Sequence, residues 1–390
     1  MLTLPDSKLP RVGTTIFTVM SRLAAECGAI NLSQGFPDFD PPPRLVDLVV
    51  EAMRSGVNQY APMEGAPALR EAIAAKVLAL YGCRVDPAAG VTVTAGATEA
   101  LFCAVQAVVR PGEEVILLEP AYDSYEPAVE LAGGRAVRVP LARPGFRVDW
   151  DRVRDALSPR TRLLVVNSPH NPTGAVLDDR DLDALEGLLH DSRALVLADE
   201  VYEHMVFDGR AHASVLGRPA LVDRSFVVSS FGKTFHCTGW KVGYCVAPPA
   251  LTAEFRKVHQ FVQFAVASPM QAGLARYMAE EPGHAAALAD FYQRKRDRLC
   301  ALLGRTPLGF TPSAGTYFQL ADYSAVSDLP DVEFARWMTR ELGVATIPVS
   351  VFSAGACAER LVRFCFAKND PTLDAAGERL ARLGSNGGPT

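Results

Sequence analysis

The chain has 390 residues, 49% of them hydrophobic and 21% charged, with a net charge of −5, which is enough to bury a large core and to divide into two or three domains. Both signs of charge are mixed along it and no basic stripe appears, which argues against nucleic acid as a partner. Residues 1–15 lack the apolar run of a secretory signal, and no apolar run approaches membrane-spanning length, so the sequence predicts a cytoplasmic protein with no membrane partner.

The first 45 residues are broken by Pro and Gly, and Asp38-Phe-Asp-Pro-Pro-Pro43 reads as a rigid turn. Short apolar, β-branched runs then follow at 91–94, 114–118, 162–167, 194–198, 225–229 and 242–246. Helical patterns lie between several of them, at 97–109 and 182–190. Strands alternating with helices predict an α/β fold whose central sheet is mostly parallel and covered by helices on both faces. From about residue 282 a long polar helical stretch, 285–303, leads into a mixed α/β tail. The expected division is a large domain at 46–284 and a smaller one built from 1–45 and 285–390.

Ligands of such sheets bind beyond the carboxyl ends of the strands, and several polar groups stand there. Gly96, Ala97 and Thr98 follow the first strand and open a helix. Asn167 and Asn171 follow the third strand, Asp199 and Glu200 the fourth, and Lys233 the fifth. Each alone has a plain structural reading: a cap, a turn, a solvated lysine. Together they supply a nucleophilic lysine, a carboxylate for a pyridine nitrogen and backbone N–H groups for a phosphate. Those are the parts of a pyridoxal-phosphate site.

Competing motifs fail. Gly232-Lys-Thr234 ends like a P-loop, but position 227 is Val where that motif needs Gly. Ser230-Phe-Gly-Lys233 lacks the S-D-N and K-T-G companions of a penicillin-recognising serine hydrolase. The eight cysteines include no C-x-x-C pair and read as reduced thiols, and the seven histidines form no metal-binding pattern.

The chain resembles the fold-type I, class I/II pyridoxal-phosphate aminotransferases, within them the kynurenine/glutamine/methionine branch and, nearest, the bacterial methionine aminotransferases. The resemblance runs from Thr14-Thr-Ile-Phe17 to Lys368. It is carried by Asn31-Leu-Ser-Gln-Gly-Phe-Pro-Asp38, Asn58-Gln-Tyr-Ala-Pro62, Thr94-Ala-Gly-Ala-Thr-Glu-Ala100 and Tyr122-Asp-Ser-Tyr125. Pro169-His-Asn-Pro-Thr-Gly174, Asp199-Glu-Val-Tyr202, Ser229-Ser-Phe-Gly-Lys-Thr234 and Gly239-Trp-Lys-Val-Gly243 continue it in order.

The resemblance implies pyridoxal 5'-phosphate as cofactor, Lys233 as the Schiff-base lysine and Asp199 as the partner of the pyridinium nitrogen. Asn171 and Tyr202 match donors to the cofactor's phenolic oxygen, and Tyr122 the ring that stacks on it. The phosphate site would be Gly96, Ala97, Thr98, Ser230 and Lys241, with Tyr60 reaching in from the other subunit of a homodimer with shared sites. Arg363, inside the apolar stretch Leu361-Val-Arg-Phe-Cys-Phe366, matches the arginine that clamps the substrate carboxylate, which the backbone of Gly35 would also approach. Phe17 and Phe264 match side-chain-pocket positions, with ordinary core packing as the competing reading.

The implied reaction is transfer of the α-amino group from methionine or an aromatic or hydrophobic amino acid to a 2-oxo acid. Two alternatives stay open at this point: a cysteine-S-conjugate β-lyase on the same fold, and a non-enzymatic ligand sensor. The second would need a DNA-binding module, for which the chain before Asn31 leaves little room.

Overall fold

The computed structural model describes residues 6–355 and 360–384; Cys357, one of the eight cysteines, lies outside them. Seven strands form the central sheet in the order Val91–Thr94, Gly243–Val246, Ser225–Ser230, Leu195–Asp199, Thr161–Asn167, Glu114–Glu119, Arg135–Pro140. Gly243–Val246 runs antiparallel to both neighbours and every other pairing is parallel. The chain is thus an α/β protein with a mostly parallel sheet, as the alternation of strand and helix signals predicts.

The strands read as near-continuous apolar runs because both faces are buried. Ile116, Leu118, Leu164, Val166, Val196 and Val227 enter one apolar core, whereas Val115, Leu117, Leu163, Val165, Leu197 and Val228 enter the other. Leu69, Ile73 and Val77 of helix Pro67–Tyr81 and Leu182, Leu185 and Leu189 of helix Asp179–Leu189 cover the first face. Ala100, Leu101, Ala104 and Val105 of helix Ala97–Val108, with Phe255 of helix Pro249–Val262, cover the second.

The strand Arg135–Pro140 escapes the sequence reading. It is the sheet's edge, its residues are mostly half-exposed, and it carries two arginines and a terminal proline, so it lacks the continuous apolar run that marks its neighbours.

The C-terminal third holds an antiparallel three-stranded sheet, Ile347–Pro348, Leu361–Cys365, Phe318–Asp322. The N-terminal segment joins it, since Ile30–Asn31 pairs in parallel with Val344–Ala345. A third apolar core fills this region and gathers Met20 and Leu32 from the N-terminus with Leu288, Tyr292, Leu299 and Leu303 of helix His284–Leu303. That core also takes Tyr202, Met205 and Phe207 from the end of strand Leu195–Asp199, so the two regions meet at the carboxyl edge of the large sheet. Among the described residues no helix is long and apolar enough to cross a membrane.

Candidate active site

The parallel strands place their carboxyl ends along one edge, and a cavity of about 310 Å³ opens there. Phe17, Gly35, Gly96, Ala97, Thr98, Tyr122, Asn171, Asp199, Tyr202, Ser230, Lys233, Lys241 and Arg363 all line it. Residues distant in sequence are brought together because each strand delivers its polar group just past its own last apolar residue.

Strand Ser225–Ser230 leads straight into the single turn Phe231–Thr234, which projects Lys233 into the cavity. Burial lowers the Lys233 ammonium from 10.5 to about 8, because the charged form loses water without gaining a carboxylate at contact distance. Its Nζ donates to the Tyr317 hydroxyl at 2.7 Å and reaches the Gly35 carbonyl at 3.4 Å.

Asp199 ends the neighbouring strand and is buried. Burial pushes its carboxyl up from 3.8 to about 6, offset in part by the Tyr125 hydroxyl donating to Oδ2 at 2.7 Å and the Val201 N–H donating to Oδ1 at 3.3 Å. Asn167 joins two strand ends: its Nδ2 donates to the Asp199 carbonyl at 2.8 Å, and its Oδ1 accepts from the Asn171 N–H at 2.8 Å.

Asn171 Oδ1 accepts from Arg363 Nη1 at 2.6 Å. A guanidinium has only donors, so this bond fixes the amide with its oxygen on Arg363 and leaves Nδ2 as a donor. Arg363 is almost fully buried, 1% exposed, and among the described residues no carboxylate pairs with it. Its Nη2 donates to the Ser33 carbonyl at 3.3 Å, and its Nε has no partner. Aromatic rings frame the guanidinium, with Phe318 at 3.8 Å, Phe352 at 5.2 Å and Phe17 at 5.4 Å. A buried guanidinium in this condition has strong donors to spare for an anion.

At the other end of the cavity Gly96 sits at φ +78° before helix Ala97–Val108. A side chain on Gly96 would meet Lys241 Nζ at 3.1 Å, and one on Gly243 would meet the Ala97 nitrogen at 2.8 Å. Glycine at both places lets the helix start, the strand and the lysine converge. Lys241, itself at φ +52°, makes no hydrogen bond or ion pair among the described residues. A cation without an anion beside free helix N–H groups fits a phosphate.

Tyr60 and Phe264 stand apart from this cavity within the chain. Tyr60 is 81% exposed and Phe264 52% exposed, and their rings pack edge to face at 5.2 Å. Gly35 lines the cavity, and a side chain there would meet the ring of Phe318, another lining residue, at 2.8 Å. Gln34, Phe318 and Thr238 line the site and Tyr125 and Tyr317 support it, without having been singled out as site residues from sequence. Tyr125 lies inside a recognisable segment, whereas Tyr317 and Phe318 carry no local signal.

The model of the family described as "Aminotransferase class I and II" matches residues 28–380. The chain belongs to this family. It is a pyridoxal-phosphate-dependent aminotransferase, and the cavity fits that cofactor: a reactive lysine, a buried carboxylate, an unpaired cation at a helix start and a guanidinium with donors to spare. It is 54% identical to the methionine aminotransferase of Escherichia coli (strain K12), over 97% of this chain and 98% of that one. The crystal structure of that organism's YbdL, for which a methionine aminotransferase function is identified, superposes with a TM-score of 0.96 at 54% identity, covering 98% and 100% of the two chains. A probable N-succinyldiaminopimelate aminotransferase of Mycobacterium tuberculosis (strain H37Rv) is 43% identical over 97% of this chain and 98% of its own.

Proposed function

We propose that this aminotransferase takes methionine or an aromatic amino acid as donor and passes the amino group to a 2-oxo acid. The observation that carries the reading is the cation count in the cavity. Among its lining residues the cations are Lys233, Lys241 and Arg363. If Lys241 holds the cofactor phosphate and Arg363 the substrate α-carboxylate, this chain's own lining leaves no cation for a second, distal carboxylate. A donor with an acidic side chain would bury an unpaired charge, whereas Phe17 and Phe318 suit a thioether or aromatic side chain.

Pyridoxal 5'-phosphate, when bound, supplies the electron-poor ring that accepts the electron pair left at the substrate's α-carbon. Lys233 holds the cofactor and, once freed, takes the proton from that α-carbon through Nζ. Asp199 keeps a proton on the pyridine nitrogen. Asn171 and Tyr202 would donate to the phenolic oxygen, and Tyr122 would lie against the ring. Gly96, Ala97, Thr98, Ser230 and Lys241 hold the phosphate. Arg363 grips the substrate carboxylate through paired N–H groups, with the Gly35 backbone beside it.

We further propose a cytoplasmic homodimer with shared sites. Phe264 is a bulky residue at φ +67°, beside Phe261, which is 88% exposed, and against Tyr60. Aromatic groups so exposed, one of them strained, are consistent with burial against a second copy, where Tyr60 and Phe264 would enter the partner's cavity. Residues 1–45 and 285–390 are proposed to act as a smaller domain that closes over residues 46–284 on substrate binding. Phe17, Gly35 and Arg363 come from the first set and Lys233 from the second.

The test is a single-turnover scan of the loaded enzyme with one amino acid at a time and no acceptor. Methionine and aromatic donors are expected to convert the cofactor to its amine form, and a 2-oxo acid to restore it. Fast conversion by donors with acidic side chains would overturn the donor assignment. Spontaneous recovery with pyruvate release from cysteine conjugates would instead point to a lyase.

A further inference from the structure

Tyr317 is named by none of the motifs above, yet its hydroxyl is the direct partner of the reactive amine. Lys233 Nζ donates to it at 2.7 Å, and it donates in turn to the Gly35 carbonyl. The residue is fully buried, and burial holds its hydroxyl well above the ordinary tyrosine range. The hydroxyl therefore keeps its proton, spends it on Gly35, and offers Lys233 only its lone pairs. Its ring lies edge-on to that of Tyr202 at 5.1 Å, so it is wedged between the lysine and a donor of the cofactor site.

The backbone that presents Tyr317 is strained. Thr316 sits at φ +66°, a region that a β-branched residue rarely adopts. The turn is held there by the Thr316 N–H on the Met205 carbonyl at 2.9 Å and the Phe318 N–H on Thr316 Oγ1 at 3.0 Å. Gly315 before it lies so close to residues 169 and 176 that a Cβ would meet Pro169 at 2.7 Å and Val176 at 2.8 Å. One kink thus aims two neighbours at the site, Tyr317 at Lys233 and Phe318 at the Arg363 guanidinium. Strain maintained at such a point marks a geometry that the surroundings enforce.

We propose that Tyr317 is a positioning residue for Lys233, one that holds the amine whenever it is not bonded to the cofactor. The inference rests on the reading of Lys233 above. The lysine is in this uncondensed state in the protein without cofactor and again when it must collect the α-proton. A neutral amine that spends an N–H on Tyr317 keeps its lone pair free for another direction, and the cavity is the open one. Because the same hydroxyl grips Gly35, the lysine and the loop beside the substrate carboxylate share one anchor.

The experiment compares wild type, Tyr317→Phe and Thr316→Gly as apoproteins. Each is mixed with pyridoxal 5'-phosphate across pH, reduced with borohydride, and mapped for modification at Lys233. Wild type is expected to react with a midpoint near the lysine's value of about 8. In Tyr317→Phe the midpoint moves to lower pH, because the charged amine loses an acceptor. Thr316→Gly, which holds the positive φ of the kink without strain and keeps the hydroxyl, retains the wild-type midpoint. In the loaded enzyme Tyr317→Phe is expected to slow the donor half-reaction about ten-fold, short of the 10²–10⁴ for loss of the base itself, with a larger α-deuterium isotope effect and little change in KM. An unchanged midpoint and isotope effect in Tyr317→Phe overturn the proposal, as does an equal shift in Thr316→Gly. Absence of modification at Lys233 in wild type instead overturns the lysine assignment, and the proposal with it.

Discussion

Asp199 and Glu203 are buried carboxylates four positions apart on one segment, and they have opposite fates. Burial raises both, but at Glu203 it is outweighed. Lys76 pairs with Oε2 at 2.5 Å, Tyr81 donates to the same oxygen at 2.6 Å, and Ser229 and Tyr244 donate to Oε1 at 2.5 and 3.2 Å. The nearby Lys76 charge and these bonds hold the Glu203 carboxyl well below its usual range. Asp199 has only one hydroxyl and one N–H, and burial wins, up to about 6. A buried charge supplied with every partner by its own chain is finished structure. One left short of partners, like Asp199 or the Nε of Arg363, is built for something the chain does not contain.

The largest effect on the catalytic side of this contrast is expected from Lys233→Ala. Its single-turnover rate should fall by at least about 10²-fold, with the circular dichroism spectrum unchanged. An unreduced half-reaction rate in that variant would remove Lys233 from its role. Arg363→Lys comes next: it keeps the charge but loses the planar fork. Losing charge-assisted bonds of about 1.5–3 kcal/mol predicts roughly ten- to a hundred-fold lower kcat/KM, mostly through KM. A wild-type KM would mean that the substrate carboxylate is held elsewhere.

Glu203→Gln should show the reverse pattern. It strands the Lys76 ammonium, so urea melts should report a loss of about 3 kcal/mol while the donor half-reaction stays near the wild-type rate. The pH dependence sharpens the pair further. Asp199 has a raised folded pKa, so its contribution to apoprotein stability is full below 3.8 and is lost as pH rises through about 6. That loss is about 3 kcal/mol and should vanish in Asp199→Asn. Glu203 has a lowered folded pKa, so its contribution is full above 4.5 and is lost as pH falls towards the folded value. Parallel slopes for the two variants would break the comparison. The smallest effect is expected from Tyr60→Phe, a few-fold weaker cofactor retention for one hydrogen bond of about 1 kcal/mol. Mixed dimers of a Tyr60→Phe subunit with a Lys233→Ala subunit should hold the cofactor normally at the remaining Lys233, and weakened retention there would exclude a role across the interface.

Most of the sheet and most of the cavity were legible in the sequence. Six of the seven large-sheet strands announce themselves because burial on both faces demands unbroken apolar runs, and Lys233, Asp199 and Asn171 stand directly behind such runs. The exposed edge strand Arg135–Pro140 has no such run. Its neighbours pair without it, and only the assembled sheet places it. The antiparallel direction of Gly243–Val246 likewise carries no local signal, since alternation and burial are the same whichever way a strand runs.

The sequence by itself determined which residues could do the chemistry, because a lysine, a carboxylate and a glycine-opened helix are local facts, and their order resembles one family. What only the tertiary structure decided is which of those residues are satisfied. Asp199 and Glu203 are alike on paper, and Arg363 could have met a carboxylate anywhere in the chain. Whether a buried charge is paired depends on side chains more than a hundred positions away, such as Lys76 against Glu203 or Asn171 against Arg363, and only packing brings those within hydrogen-bonding distance.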